Sequence, residues 1–203
     1  MEIYLVGGAV RDGLLNIPFK DKDYLVVGAT PEIMINLRFK PIGKDFPVFL
    51  HPKTNEEYAL ARTEKKIAVG HKGFKFYASP DVSLVEDLQR RDITINAIAV
   101  DSEGNYIDPY DGISDIKTKI IRHVSPSFIE DPLRVLRVAR FKAKLPFFVI
   151  HEETKTLMKQ MVSDGEIGHL SSERIIAELI KGIEQKHAFN MFIVLEDCGA
   201  FPI

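Results

Sequence analysis

An α/β part followed by an all-α part is the fold class that this sequence predicts. Three observations lead there: a strand-turn-helix signal over residues 3–15, a strand with a continuous apolar body over residues 24–27, and unbroken helical periodicity after Ser125-Pro126. Residues 3–6 are apolar and run into Gly7-Gly8, after which Val10, Leu14 and Leu15 recur at helical spacing. Residues 21–28 read as a second strand, polar where it begins and apolar through its body, as suits the centre of a sheet. Thr30-Pro31-Glu32 supplies an N-cap and a Pro in the first turn, opening a helix to about Phe39. Short strands are expected at 48–50 and 57–61.

Residues 63–80 turn to Lys, Gly and scattered aromatics, and are expected to form a long mobile functional loop. A helix over 82–91, strands at 97–100 and 106–107 around Gly104, and a short helix at 113–119 follow. Beyond Ser125-Pro126 only helices are expected: 132–145 closed by Pro146, 152–162 closed by Gly165, 171–184 and 187–197. The expected domains are therefore 1–124 and 125–203.

Composition narrows the function. With 27 Lys and Arg against 29 Asp and Glu, the net charge is −2, so a polyanion must be held by local basic clusters, and a histone-like wrapper is excluded. The single cysteine, Cys198, excludes an intramolecular disulfide and fits a reducing cytoplasm. Glu2, Arg11 and Asp12 interrupt the apolar start before a signal sequence could form, and no apolar run approaches a membrane span. A soluble, unexported protein is expected. The six histidines show no metal-ligand spacing, and neither a nucleophile elbow nor a P-loop is present.

Five places could carry chemistry. Gly7-Gly8 between strand and helix either makes a tight turn or brings backbone N–H groups to a phosphate, with Arg11 one turn on as a clamp. Asp21 and Asp23 at i and i+2 put two carboxylates on one face of a strand, an arrangement costly without a cation and suited to magnesium; a solvated loop is the alternative. Glu57, from a neighbouring strand, is either a third carboxylate completing a two-metal site or a solvent-facing glutamate. Arg90-Arg91 has the helix macrodipole as a sufficient explanation, and Asp131-Pro132 has an N-cap. Yet Arg134, Arg137 and Arg140 recur every three residues in a basic stripe without mixed signs, which suggests an anionic ligand lying along the helix.

The series Leu5-Val6-Gly7-Gly8-Ala9-Val10-Arg11-Asp12, Asp21-Lys22-Asp23, Arg90-Arg91-Asp92-Ile93-Thr94-Ile95-Asn96-Ala97 and Glu130-Asp131-Pro132-Leu133-Arg134-x-x-Arg137-x-x-Arg140-Phe141 resembles the bacterial class II CCA-adding tRNA nucleotidyltransferases in order and spacing. The resemblance implies a polymerase β-like head with a mixed sheet, followed by a helical neck. It implies that Asp21 and Asp23 hold Mg2+, with Glu57 where the third catalytic carboxylate is expected. Gly8, Arg11, Arg91, Arg137 and Arg140 would bind the nucleotide triphosphate, Asp92 and Asn96 would lie near the ribose, and Asp131 with Arg134 would read the incoming base. Implied substrates are CTP, ATP and the tRNA 3′ end, in the cytoplasm. A poly(A) polymerase of the same superfamily and a non-catalytic nucleotide- or RNA-binding module are the competing readings. Members carry further helical domains after the neck, so a truncated chain is expected.

Overall fold

The computed structural model describes residues 1–42, 48–66 and 74–201, with the backbone alone described at 64–66 and 74–78. The chain packs as two compact units, one of Met1–Lys65 with Lys75–Ile116 and one of Lys66–Phe74 with Lys117–Ile203.

The first unit is built on β1 (Glu2–Val6), β2 (Asp23–Val27), β3 (Lys40–Pro41), β4 (Val48–Leu50), β5 (Glu57–Leu60), β8 (Ala99–Val100) and β9 (Tyr106–Ile107), which form one sheet in the order β3-β4-β5-β2-β1-β8-β9. The sheet is mixed. Its central pair, β2 and β5, is parallel, whereas β1 runs antiparallel to both β2 and β8. The apolar body of β2 sits where its composition predicts, with Leu25 and Val26 each 1% exposed. Successive side chains alternate between faces. Tyr24 and Tyr58, opposite one another on β2 and β5, stack at 4.5 Å and join Val26, Met34, Phe49 and Leu60 in one core. Helix α1 (Gly8–Leu14) follows β1, and α2 (Pro31–Asn36) starts on Thr30, whose hydroxyl accepts the Ile33 N–H.

Three expectations are corrected here. Asp21 is not in the strand: β2 begins at Asp23, because Asp23 pairs with Val6, the last residue of β1, and the partner strand then turns away at Gly7. The segment 63–80 is not one structureless loop, since β6 (Arg62–Lys66) and β7 (Phe74–Ala78) pair with each other; Phe74-Lys75-Phe76-Tyr77 is a strand-prone run that the lysines and glycines around it disguised. Its expected mobility at 67–73 lies outside the described residues. The part after residue 125 is not purely helical either. β10 (Ile120–Ile121) pairs in parallel with β11 (Val149–Ile150), which ties residues before Ser125 to the helical unit.

Helix α3 (Leu84–Gln89) opens with a capping box between Ser83 and Glu86, and α4 is Gly112–Thr118. Gly112 is needed for space. A Cβ there would stand 2.3 Å from the Thr94 carbonyl oxygen and 2.8 Å from Ile98 Cγ1. Gly112→Ala is therefore expected to destabilise the protein by about 1–3 kcal/mol, measured by urea unfolding. An unchanged midpoint would contradict that close approach.

The second unit is organised around α5 (Leu133–Lys144), with Val135, Leu136, Val138 and Ala139 fully buried. α7 (Ser172–Ile183) and α8 (Phe189–Asp197) pack on it, and α6 (Glu152–Ser163) follows β11. The periodicity fixed these four helices to within a residue or two. Among the described residues no helix is long and apolar enough to cross a membrane.

Candidate active site

In the first unit the site forms where β1 ends and where β2 and β5 begin. The ladder sets Asp23 directly opposite Glu57, and paired positions on neighbouring strands share a face. The alternation that suggested a carboxylate from a neighbouring strand beside the Asp pair is thus realised for Asp23 and Glu57, both of which are exposed. Asp21 lies just before the strand. Desolvation raises the Asp23 carboxyl above its ordinary pKa and the negative charge of Asp21 adds to this, while the Arg91 cation pulls it back down. A like charge and a cation thus both act on Asp23. Among the described residues no three His, Cys, Asp or Glu side chains gather closely enough to hold a metal ion, so Glu57 does not close a three-carboxylate cluster with the aspartates.

Beside these carboxylates the chain turns at Gly7 with φ 71°, a backbone angle that favours glycine. A Cβ on Gly7 would come 3.1 Å from Arg91 Nη1, so the turn is also pressed against that guanidinium. Gly8 opens α1, and Arg11 one turn later is 4% exposed. Arg11 is held on three sides of its fork. Nε donates to Asp12 Oδ1 at 2.8 Å, Nη2 reaches the same oxygen at 2.8 Å, and Nη1 donates to Asn96 Oδ1 at 2.5 Å. Asn96 in turn donates from Nδ2 to Asp92 Oδ1 at 3.0 Å, and its carbonyl accepts Arg91 Nη1 at 3.2 Å. One asparagine therefore links Arg11, Arg91 and Asp92, and the side chain sits at 6% exposure.

Sequence reasoning missed Asp87. It is fully buried on α3 and accepts from both Arg90 and Arg91. Burial alone would raise its carboxyl, yet the two guanidiniums outweigh it and hold Asp87 below the ordinary carboxylate value. The signal was available in the i+3 and i+4 spacing from Asp87 to the arginines, which the macrodipole explanation overlooked.

In the second unit, Pro132 is the N-cap of α5 rather than its first residue, and Asp131 just before it is not the cap: Oδ1 accepts the Leu133 N–H at 3.1 Å, and Oδ2 accepts Arg174 Nη2 at 2.8 Å. Arg134 is 7% exposed and donates from Nη1 to the Ser127 carbonyl at 2.7 Å. Arg137 and Arg140 both meet Glu178 of α7, 3% exposed, Arg140 through Nε at 2.6 Å and Arg137 at 3.9 Å. Lys181 approaches the same carboxylate at 3.6 Å. The stripe that read as single-signed along one helix thus has an anion, supplied by another helix. Glu178 and Arg174 lie far along the chain from their partners, and only their shared i, i+4 face on α7 hinted at a joint role.

The comparisons with known proteins cover both units. The family described as "Poly A polymerase head domain" matches residues 3–122, and one described as "Probable RNA and SrmB- binding site of polymerase A" matches 147–203. A protein of Coxiella burnetii named "CCA-adding enzyme" is 60% identical over 203 residues, covering 100% of this chain and 54% of its own length. The crystal structure of the Bacillus stearothermophilus CCA-adding enzyme in complex with CTP aligns with a TM-score of 0.81 at 32% identity, over 98% of this chain and 48% of that one. The Thermotoga maritima CCA-adding enzyme complexed with tRNA aligns at 0.77 and 30% identity, over 98% and 47%. The chain spans about half the length of the curated relatives it matches.

Proposed function

The chain belongs to the poly A polymerase head-domain family, and from that premise we propose that it carries the nucleotidyl-transfer part of a CCA-adding enzyme, which extends the 3′ end of tRNA with C and A from CTP and ATP. The observation that carries the reading is the placement of Asp23, opposite Glu57 and beside the Gly7 turn and the Arg91 cation. Carboxylates for a cation, a backbone turn and an arginine for phosphates are the parts that phosphoryl-group transfer requires. The similarity to CCA-adding enzymes solved with CTP and with tRNA supports the same substrates.

The donor set fits magnesium. Two hard carboxylates, Asp21 and Asp23, would hold the ion, a donor set of the kind that suits it. Such an ion, when bound, supplies charge stabilisation to the attacking and leaving oxygens of an in-line displacement. The raised pKa of Asp23 agrees with this role, because a carboxylate strained by desolvation and by Asp21 gains most from a cation. Glu57, paired with Asp23 across the ladder, would position the attacking hydroxyl.

The chain's own groups do the rest. Gly8 N–H and the guanidiniums of Arg11 and Arg91 neutralise and orient the triphosphate, and Asn96 keeps the two arginines at fixed separation. On the helical unit, Arg137 and Arg140 are assigned to phosphate, their charge held in place by Glu178. Asp131 and Arg134 are assigned to the base edge. Each Asp131 oxygen has a second lone pair beyond the bond it makes, and a guanidinium has five N–H donors. We take the catalytic head as 1–124 and the neck as 125–203, supported by the head-family match to 3–122. With tRNA as acceptor, the cytoplasm is the compartment.

Extension of a tRNA lacking its terminal CCA, first with CTP and then with ATP in magnesium buffer, tests the assignment. Addition of two C residues followed by one A is expected. Runs of A on an unrelated RNA primer, without use of CTP, would replace the reading with poly(A) polymerase, and nucleotide binding without any extension would replace it with a binding module.

A further inference from the structure

We propose that Asp87 is a positioning residue for the transfer reaction: it aims the Arg91 guanidinium at the nucleotide's phosphates without touching them, a role that rests on the assignment of Arg91 to the triphosphate. The two oxygens of this fully buried carboxylate divide their work. Oδ1 accepts Nε and Nη2 of Arg90 at 3.1 and 2.8 Å and the Arg62 backbone N–H at 3.2 Å, which anchors the end of α3 to the start of β6. Oδ2 accepts Arg91 Nη2 at 3.2 Å. The other Arg91 terminal nitrogen donates to the Asn96 carbonyl and stands next to the Gly7 turn, so the guanidinium is pinned at both tips. Its Nε is buried without a hydrogen-bond partner, and its charge reaches the Asp23 carboxyl.

An arginine side chain has many rotamers, and fixing one of them on ligand binding costs affinity unless the protein has already done so. Here the fixing is internal. Asp87 holds one terminal nitrogen of Arg91, while Gly7 stands against the other and the Arg91 charge acts on Asp23. Its lowered pKa agrees with a carboxylate that stays charged throughout the working pH range.

The test compares binding of CTP and CMP in magnesium buffer, by calorimetry, for the parent chain, Asp87→Asn and Arg91→Ala. The parent is expected to prefer CTP. Asp87→Asn, which keeps the Arg91 charge but loosens its aim, is expected to weaken CTP by about threefold to tenfold and to leave CMP within about twofold. Arg91→Ala is expected to weaken CTP further. A residue that merely supports the fold would lower the melting temperature and leave the CTP to CMP ratio at the parent value; that ratio in Asp87→Asn overturns the proposal. Should Asp87→Asn not fold, Asp87→Glu, which retains the charge one methylene away, serves in its place, with a parental ratio again overturning the idea. If Arg91→Ala itself keeps the parent's ratio, the phosphate assignment of Arg91 has failed and the positioning role falls with it.

Discussion

Asp23→Asn and Asp21→Asn are each expected to reduce nucleotide addition about a thousandfold or more, while the protein stays folded. A metal site that stabilises developing charge contributes several kcal/mol, and each 1.36 kcal/mol is tenfold in rate. The stability side of the argument has the opposite sign. The folded state raises the Asp23 carboxyl above its ordinary pKa, so its ionised form is disfavoured by folding, and stability is lost as pH rises through the titration. Neutralising Asp23 therefore leaves the melting temperature equal or slightly higher at neutral pH. Magnesium should raise the melting temperature of the parent and not of Asp23→Asn, because a ligand that binds only the folded state stabilises it. Turnover near the parental rate in both variants, with the same magnesium dependence, would end the metal assignment.

Arg134→Ala and Asp131→Ala are expected to cost selectivity. A well-made contact with a base edge is worth about 1–3 kcal/mol, so preference for CTP and ATP over GTP and UTP should drop by roughly tenfold or more. Both side chains also have structural duties. Asp131 accepts the Leu133 N–H at the start of α5 and pairs with Arg174, and Arg134 satisfies the Ser127 carbonyl, so each variant should lose about 1–2 kcal/mol of stability as well. Arg174→Ala separates the two effects. It breaks the ion pair to Asp131 while leaving both proposed base-reading groups, and is expected to lower the melting temperature with selectivity kept. If Arg134→Ala and Asp131→Ala behave as Arg174→Ala does, incorporating the four nucleotides in the parental proportions, the pair is structural.

The parts of this site that were legible in the sequence are those set by short-range periodicity. Alternation in residues 55–62 allowed Glu57 either a place beside the aspartates or a solvent-facing one, and the ladder places it opposite Asp23. Helical spacing located α5 with its arginines. What could not be read depends on where a partner ends or on chain segments far apart. Asp21 falls outside β2 because β1 runs out at Val6, a fact about another strand. Glu178 is 38 residues from Arg140, so no local pattern reveals that the basic stripe has an internal anion. The β10 and β11 strands are two residues each, too short for alternation to be visible. Asp87 is the different case. Its spacing to Arg90 and Arg91 was in plain sight, and a sufficient explanation for the arginines hid the need for one for the aspartate.

The parallel pairing of Ile120–Ile121 with Val149–Ile150 bears on how such a protein can be recombined. Motif order suggests cutting between 124 and 125, but that cut would move one strand of the pair with the donor and leave its partner with the acceptor. The backbone N–H groups of Val149 and His151, which donate to the Lys119 and Ile121 carbonyls, would then pair with a strand whose side chains come from the other parent. A junction at 116/117 keeps both strands on the same side, where the longer stretch of the second unit begins. Chimaeras that exchange the helical half between relatives should therefore succeed with the earlier crossover and fail with the later one whenever residues 117–124 differ between the parents. The heritable module and the motif-defined domain are offset, and the offset is set by four residues of sheet.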